Sequence, residues 1–198
     1  MPHHPPAVQP AGLTLIELLV TLAVVLVLFA YAVPTFDRLI HQERQTAALN
    51  RLLGAVQFAR SAALSHRDSI VLCPADTRAA LETVECAARD QWHLGALIFL
   101  DRNGDGQRSR REAALRRIAG WPGSARVRWR SFRNRSYLRF RSRGTTDWQN
   151  GSFTWCPNED AQDPQQVVLN LAGRARVARD KDGDGVPEDS RGDPIRCP

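Results

Sequence analysis

Between residues 13 and 33 the chain carries one charged side chain, Glu17, in a run that is otherwise apolar or uncharged. As a helix rising about 1.5 Å per residue, such a run extends about 30 Å, the thickness of one bilayer core. After Pro34 the pattern changes. Phe36, Leu39, Ile40, Ala47, Leu49, Leu52, Leu53, Val56, Phe58, Ala59, Ala62, Ala63 and Leu64 recur at three- and four-residue steps, with Arg and Gln between them. That spacing predicts one long helix from about residue 13 to about residue 66, its second half laying one face on a sheet. The alternative is two helices broken at Pro34, which lacks a backbone donor.

Beyond residue 66 the period shortens. Strands are predicted at 69–74, 92–100, 116–118, 125–130, 137–141, 151–156, 166–171 and 174–177, separated by Gly-, Asp- and Asn-rich turns such as Asp101-Arg102-Asn103-Gly104-Asp105-Gly106. Residues 75–90 read as a loop or a short helical excursion, and 180–198 as an irregular polar tail. One long helix followed by many short strands implies an α+β fold with antiparallel sheets.

Charge sharpens this picture. The formal net charge is +6 and the only lysine is Lys181, so the basic surface is arginine. Arginine's planar fork suits phosphate, and a basic surface suits a polyanion; solubility alone would also account for it. Arg126, Arg128, Arg130, Arg133, Arg135, Arg139, Arg141 and Arg143 fall in one segment without an acid, Val127 and Trp129 alternating with the first three. This reads as strands with arginines outward and Trp129 in the core. Near the C-terminus, Gly173-Arg174-Ala175-Arg176 is followed by Arg179 and Lys181. On an extended strand Arg174 and Arg176 share a face, about 6.5 Å apart along the axis, close to the phosphate spacing of a DNA strand. The competing reading is a charged edge strand that resists aggregation.

Four cysteines, Cys73, Cys86, Cys156 and Cys197, imply two disulfides in an oxidising compartment. Three connectivities are open; Cys73–Cys86 with Cys156–Cys197 is preferred, since the second bridge would pin the tail. Asp101, Asn103, Asp105 and Glu112 match the spacing of a calcium loop, although Arg102, Arg108, Arg110 and Arg111 crowd it and oppose a cation. Asp180, Asp182 and Asp184 begin a similar loop with Arg191 at its twelfth place. Asp/Asn/Gly turn chemistry explains both loops without an ion. His41, His66 and His93 are scattered, and no nucleophile elbow or phosphate-binding glycine loop is present, so an enzyme is not expected.

The run Gly12-Leu13-Thr14-Leu15-Ile16-Glu17 resembles the N-terminus of type IV pilins and type II secretion pseudopilins. Val71-Leu72-Cys73-Pro74, Trp92 followed by Leu97-Ile98-Phe99, the Asp101–Gly106 turn, and Leu169-Asn170 leading to Gly173-Arg174 are similar to the FimT/GspH group, and most like its FimT members. The resemblance implies a type IV pilin-like fold. It also implies a leader peptide (1–12) cut after Gly12 by a prepilin peptidase, N-methylation of Leu13, and a carboxylate at Glu17 that meets a neighbouring subunit's amine during assembly. Residues 13–34 would be the transmembrane or filament-core half of the helix, 35–66 its amphipathic half, and 67–198 a β-rich globular domain. The leader departs from the family in having no Lys or Arg. The protein would sit in the inner membrane with its globular domain in the periplasm, then enter a pilus at the cell surface among other pilins and minor pilins. In FimT-like pilins a Gly-Arg-x-Arg motif is associated with DNA, which makes Gly173, Arg174, Arg176, Arg179, Lys181, Arg139, Arg141 and Arg143 candidates for sequence-independent DNA binding in natural transformation. The other reading is a structural, GspH-like pseudopilin that serves pilus assembly or type II secretion without nucleic acid. The two differ in whether the basic clusters share one exposed face, and whether Arg174 is consumed by Asp180 or Asp182.

Overall fold

The computed structural model describes residues 12, 14–121, 125–157 and 164–197, with backbone alone at 31–38 and 41. One helix, α1, spans Leu15–His66 and is not broken at Pro34. Thr14 caps it: its hydroxyl oxygen accepts the Glu17 N–H at 3.3 Å and its carbonyl accepts the Leu18 N–H at 3.2 Å, which satisfies donors that have no partner inside the helix. The chain divides into two compact units, residues 1–43 and 44–198.

In the first unit every described apolar side chain of the helix, from Leu15 to Ile40, is exposed. Among the described residues no helix is long and apolar enough to cross a membrane. Residue 13 and the side chains of residues 31–34, which belong to the expected transmembrane half at 13–34, lie outside the described residues. Most of the expected leader, and Leu13, lie outside the described residues.

The second unit is built from two four-stranded antiparallel sheets. The first has the order β3(Ala114–Ala119)–β2(Gly95–Leu100)–β1(Ile70–Pro74)–β5(Leu138–Phe140); the second has the order β4(Arg126–Ser131)–β6(Gly151–Cys156)–β7(Gln165–Leu169)–β8(Ala175–Val177). The 44–66 part of the helix contributes Ala48, Leu52, Ala55, Val56, Ala59 and Ala63 to one core with Ile70, Leu72 and Ile98 of the first sheet and Val127, Trp129, Phe153, Trp155, Val167 and Leu169 of the second. Small alanines at three- and four-residue steps let the strands approach the helix closely. The far face of the first sheet carries a second cluster, Val71, Cys73, Leu97, Phe99, Val84 and Tyr137. β1 and β2 are thus buried on both faces, which explains their unbroken apolar sequences. The second sheet has one open face, and β4 alternates exposed arginine with buried Val127 and Trp129.

Both preferred disulfides are closed, Cys73–Cys86 and Cys156–Cys197. The expected strand 92–100 begins only at Gly95, because Arg89–Leu94 forms a 3-10 helix that buries Trp92 edge-on against Phe153, centroids 4.9 Å apart. Gly95 makes the change of direction with φ +122°, and a Cβ there would lie 2.5 Å from the Ile118 carbonyl oxygen. The tail folds back on itself: Glu188 bridges Pro194, the Ile195 N–H donates to the Pro187 carbonyl at 3.0 Å, and Ile195 is buried.

Candidate nucleic-acid interface

The open face of the second sheet carries arginines from both of its edges. On β4, Val127 and Trp129 turn inward, Trp129 stacking on Phe153 at 4.4 Å, and Arg126, Arg128 and Arg130 turn outward. The register then joins distant segments: Arg130 pairs with Ser152, Ser152 with Val168, and Val168 with Arg176. Residues paired across a sheet share a face, so Arg130 and Arg176 lie on one side, three strand spacings or about 14 Å apart.

β8 is reached through a tight turn. The Gly173 N–H donates to the Asn170 carbonyl at 3.0 Å, the Asn170 N–H to the Arg174 carbonyl at 3.1 Å, and the Arg174 N–H to the Asn170 side-chain oxygen at 2.9 Å. Gly173 has φ +74°, and a Cβ there would sit 2.2 Å from the Gly144 carbonyl oxygen, which also accepts the Arg60 Nε–H at 3.1 Å. Gly173 is therefore buried and shapes the turn that leads to Arg174. From this turn Arg174 and Arg176 emerge exposed while Ala175 packs toward the core. Neither pairs with Asp180 or Asp182, and among the described residues no acid pairs with Arg130, Arg174, Arg176 or Arg196.

The tail crosses the same face and leaves a cleft on each side. One, of about 890 Å³, is lined by Ser152, Gln166, Val168, Arg174, Arg176 and Asp189. The other, of about 760 Å³, is lined by Arg130, Phe132, Ser152, Thr154, Gln166 and Arg196. The floor is uncharged, and the acids of the tail have a cation of their own, since Arg191 pairs with Asp189 and Asp193 at 3.4 Å each. Burial pushes the Asp189 carboxyl up, but the N–H groups of Arg191 and Asp193 and the Arg191 charge outweigh it and hold it below its ordinary value.

The remaining expected contacts lie elsewhere. Arg139 is mostly buried on β5, where its guanidinium meets the buried Asp101 carboxylate at 2.7 Å and Asp147 at 3.6 Å and donates to the Gly104 carbonyl at 2.8 Å. Arg141 forms an ion pair with Asp147. Burial raises the Asp147 carboxyl, but the Arg141 hydrogen bond and the Arg141, Arg139 and Arg133 charges more than offset it, so its pKa is lowered. Arg139 is thus engaged in internal ion pairs, whereas Arg141, 60% exposed, pairs with Asp147 at the surface. Arg143 is exposed beside Gly144, against which the Gly173 turn packs. Arg179 is exposed, and Lys181 stands in the acidic 180–188 loop, where neighbouring carboxylates oppose a phosphate.

The candidate calcium loop is closed from within. Glu112 accepts the N–H groups of Arg102, Asn103 and Ser109 and the Ser109 hydroxyl. Asn103 and Asp105 bind each other, and Arg139 supplies the cation at Asp101. Burial still pushes the Asp101 carboxyl above its ordinary value, against the pull of Arg139 and the Gly104 N–H. In the tail loop the carboxylates of Asp180, Asp182, Asp184 and Glu188 converge within 4.8 Å. There the Asp184 N–H lowers Asp182, but desolvation and the charges of Asp184, Glu188 and Asp180 leave it raised. Arg196 and Phe132 were not singled out from sequence: each is one polar-segment residue in a region without period, and only the folded tail and turn bring them to the cleft.

The fold compares with that of a solved minor pilin. The type IV minor pilin FimU of Pseudomonas aeruginosa superposes with a TM-score of 0.52 at 23% identity, over 70% of this chain and 90% of that one. A second crystal form of the same protein gives 0.49 at 24% identity, over 68% and 92%. No curated protein matches the sequence significantly. The family model of the type II transport protein GspH matches residues 48–173, from the core-facing part of α1 through both sheets to the Gly173 turn. That match takes in more than half of the chain, which therefore belongs to the GspH family of pilin-like structural, non-enzymatic proteins.

Proposed function

We propose that the chain is a FimT-like minor pilin that holds extracellular DNA, irrespective of sequence, for uptake in natural transformation. The observation that supports this reading is the shared face: the register aligns Arg130 with Arg176, and neither is spent on an acid among the described residues. Among the described residues no recognition helix is offered to a groove, so phosphate contacts carry the affinity. In this reading the prepilin peptidase cuts after Gly12, Leu13 is N-methylated, and Glu17 meets a neighbouring subunit's amine. The protein is held in the inner membrane as a single-pass anchor before it joins other pilins in the pilus, where Arg174, Arg176 and Arg143 face outward. A single copy binds weakly, and repeated contacts supply avidity.

The test is duplex binding by the full-length, oxidised protein in detergent micelles, compared with an Arg174→Gln/Arg176→Gln variant. Four arginine–phosphate contacts give a log–log salt slope of about −3.6 on a duplex, a loss of about 150-fold between 50 and 200 mM salt. The variant should bind more weakly, with a shallower slope. Absence of binding to both duplex and single-stranded DNA by the folded wild type at low salt would overturn the proposal. It would favour the second reading, to which the GspH family match gives direct support: a structural pseudopilin of pilus assembly or type II secretion.

A further inference from the structure

The geometry points to single-stranded DNA as the form held across the open face of the second sheet, with the Phe132 ring stacking on a base. This inference rests on the DNA-binding reading above and adds a residue and a strandedness to it. Phe132 follows β4 directly and is 82% exposed, the most exposed large apolar side chain described. Nothing in the core needs it there. Yet the backbone that carries it is held from three sides. Its N–H donates to the Asn150 carbonyl at 3.0 Å, the Asn134 N–H closes the turn onto the Ser131 carbonyl at 3.0 Å, and the Arg89 guanidinium holds both the side chain and the carbonyl of Asn134. With the backbone already ordered, a flat partner that stacks on the ring has only the side chain left to order.

The surroundings select that partner. Phe132 lines the same cleft as Arg130 and Arg196, and this cleft shares Asn150, Gly151, Ser152 and Gln166 with the one beneath Arg174 and Arg176. The floor is uncharged, and a Cβ at Gly151 would sit 2.1 Å from the Arg130 carbonyl oxygen, so no side chain rises from the floor at that position. An aromatic ring beside a groove walled by cations is the arrangement that binds single strands, the arginines tracking phosphates and the ring taking a base face. A duplex keeps its base faces stacked inside and offers the ring nothing.

Three probes test this with the full-length protein in micelles: a short oligothymidylate, an abasic strand of equal length and charge, and a duplex of equal length. The wild type should bind the oligothymidylate at least about fivefold more tightly than the abasic strand. Phe132→Ala should bind those two equally while keeping wild-type affinity for the abasic strand and the duplex. Phe132→Leu, which keeps apolar bulk without a π face, should behave like Phe132→Ala, whereas Phe132→Tyr should keep the preference. Absence of a base preference in the wild type would overturn the inference, as would its persistence in Phe132→Ala or an equal loss on all three probes. If the wild type binds no probe at low salt, the broader DNA reading fails too. If duplex binding is lost in Arg174→Gln/Arg176→Gln without any base preference, only the single-strand inference falls.

Discussion

Replacing Arg139 by Met tests whether that arginine belongs to the fold or to the ligand. Asp101 is fully buried as a side chain and Arg139 is 13% exposed, with 2.7 Å between their charged atoms. The guanidinium also donates to the Gly104 carbonyl at 2.8 Å and lies 5.2 Å over the Tyr137 ring, so it ties β5 to the 101–106 turn. Met keeps most of the stem but removes the charge, leaving Asp101 with the Gly104 N–H at 2.9 Å as its main support. Breaking a buried pair from one side costs about 3–5 kcal/mol, or about 10 °C in melting temperature for a chain of this size. Adding Asp101→Asn should restore part of that loss, because a pair removed from both sides leaves no uncompensated charge.

The pH dependence gives an independent check. Asp101 already lies above its ordinary value through burial, with Arg139 pulling the other way. Without Arg139 it rises further. A carboxyl that binds its proton more tightly folded than unfolded gains stability as pH falls through its folded pKa. The deficit of Arg139→Met should therefore shrink on acidification from neutral pH. Urea unfolding of the oxidised protein, followed by tryptophan fluorescence over a pH series, reads both effects. A deficit under about 1 kcal/mol, or one independent of pH, would mean that the pair is solvent-screened like a surface ion pair and would refute the reasoning.

Three other outcomes follow from the same structure. Removing Cys156–Cys197 as a double serine variant should cost up to about 4 kcal/mol and removing Cys73–Cys86 up to about 3, since the first closes the longer loop (separations 41 and 13); equal or reversed losses in urea unfolding would count against the loop argument. Gly173→Ala should lose about 2 kcal/mol or more, because both the left-handed backbone and the Gly144 carbonyl oppose a Cβ, and an unchanged melting temperature would show that the turn relaxes freely. Glu17→Ala should leave unfolding of the 44–198 unit unaltered, since the side chain is exposed in the first unit, while excluding the protein from sheared pili; normal pili containing the variant would contradict the assembly role.

The long helix and most strands were legible because their periods are clean and their turns carry Gly, Asn or Asp. The β4 stripe was legible for the same reason: Arg-Val-Arg-Trp-Arg alternates, and the structure buries Val127 and Trp129. Arg139, Arg141 and Arg143 show the identical two-residue spacing, yet Arg139 is buried against Asp101. The pattern fixes which residues share a side of a strand; what covers that side depends on partners remote in sequence. Trp92 misled for a related reason, since the residues from Trp92 to Leu100 read as one apolar run and only the packing of Gly95 on Ile118 separates helix from strand. The alignment of Arg130 with Arg176 was out of reach altogether, because it accumulates over three strand pairings, each set by its own turn.

That alignment still has a plainer competitor. β4 and β8 are the two edges of their sheet, and charged side chains on edge strands discourage pairing with another chain. Edge protection demands charge of either sign, whereas phosphate binding demands positive charge. Arg174→Glu/Arg176→Glu separates the two demands. The carboxylates preserve a charged edge, so the variant should remain unaggregated and melt within about 0.5 kcal/mol of the wild type, as exposed substitutions do. It also places two like charges where phosphates would sit, and should bind DNA more weakly than Arg174→Gln/Arg176→Gln at low salt, the gap closing as salt screens it. If the Glu and Gln variants bind DNA equally well, the β8 arginines serve the edge and the shared face is a consequence of sheet geometry.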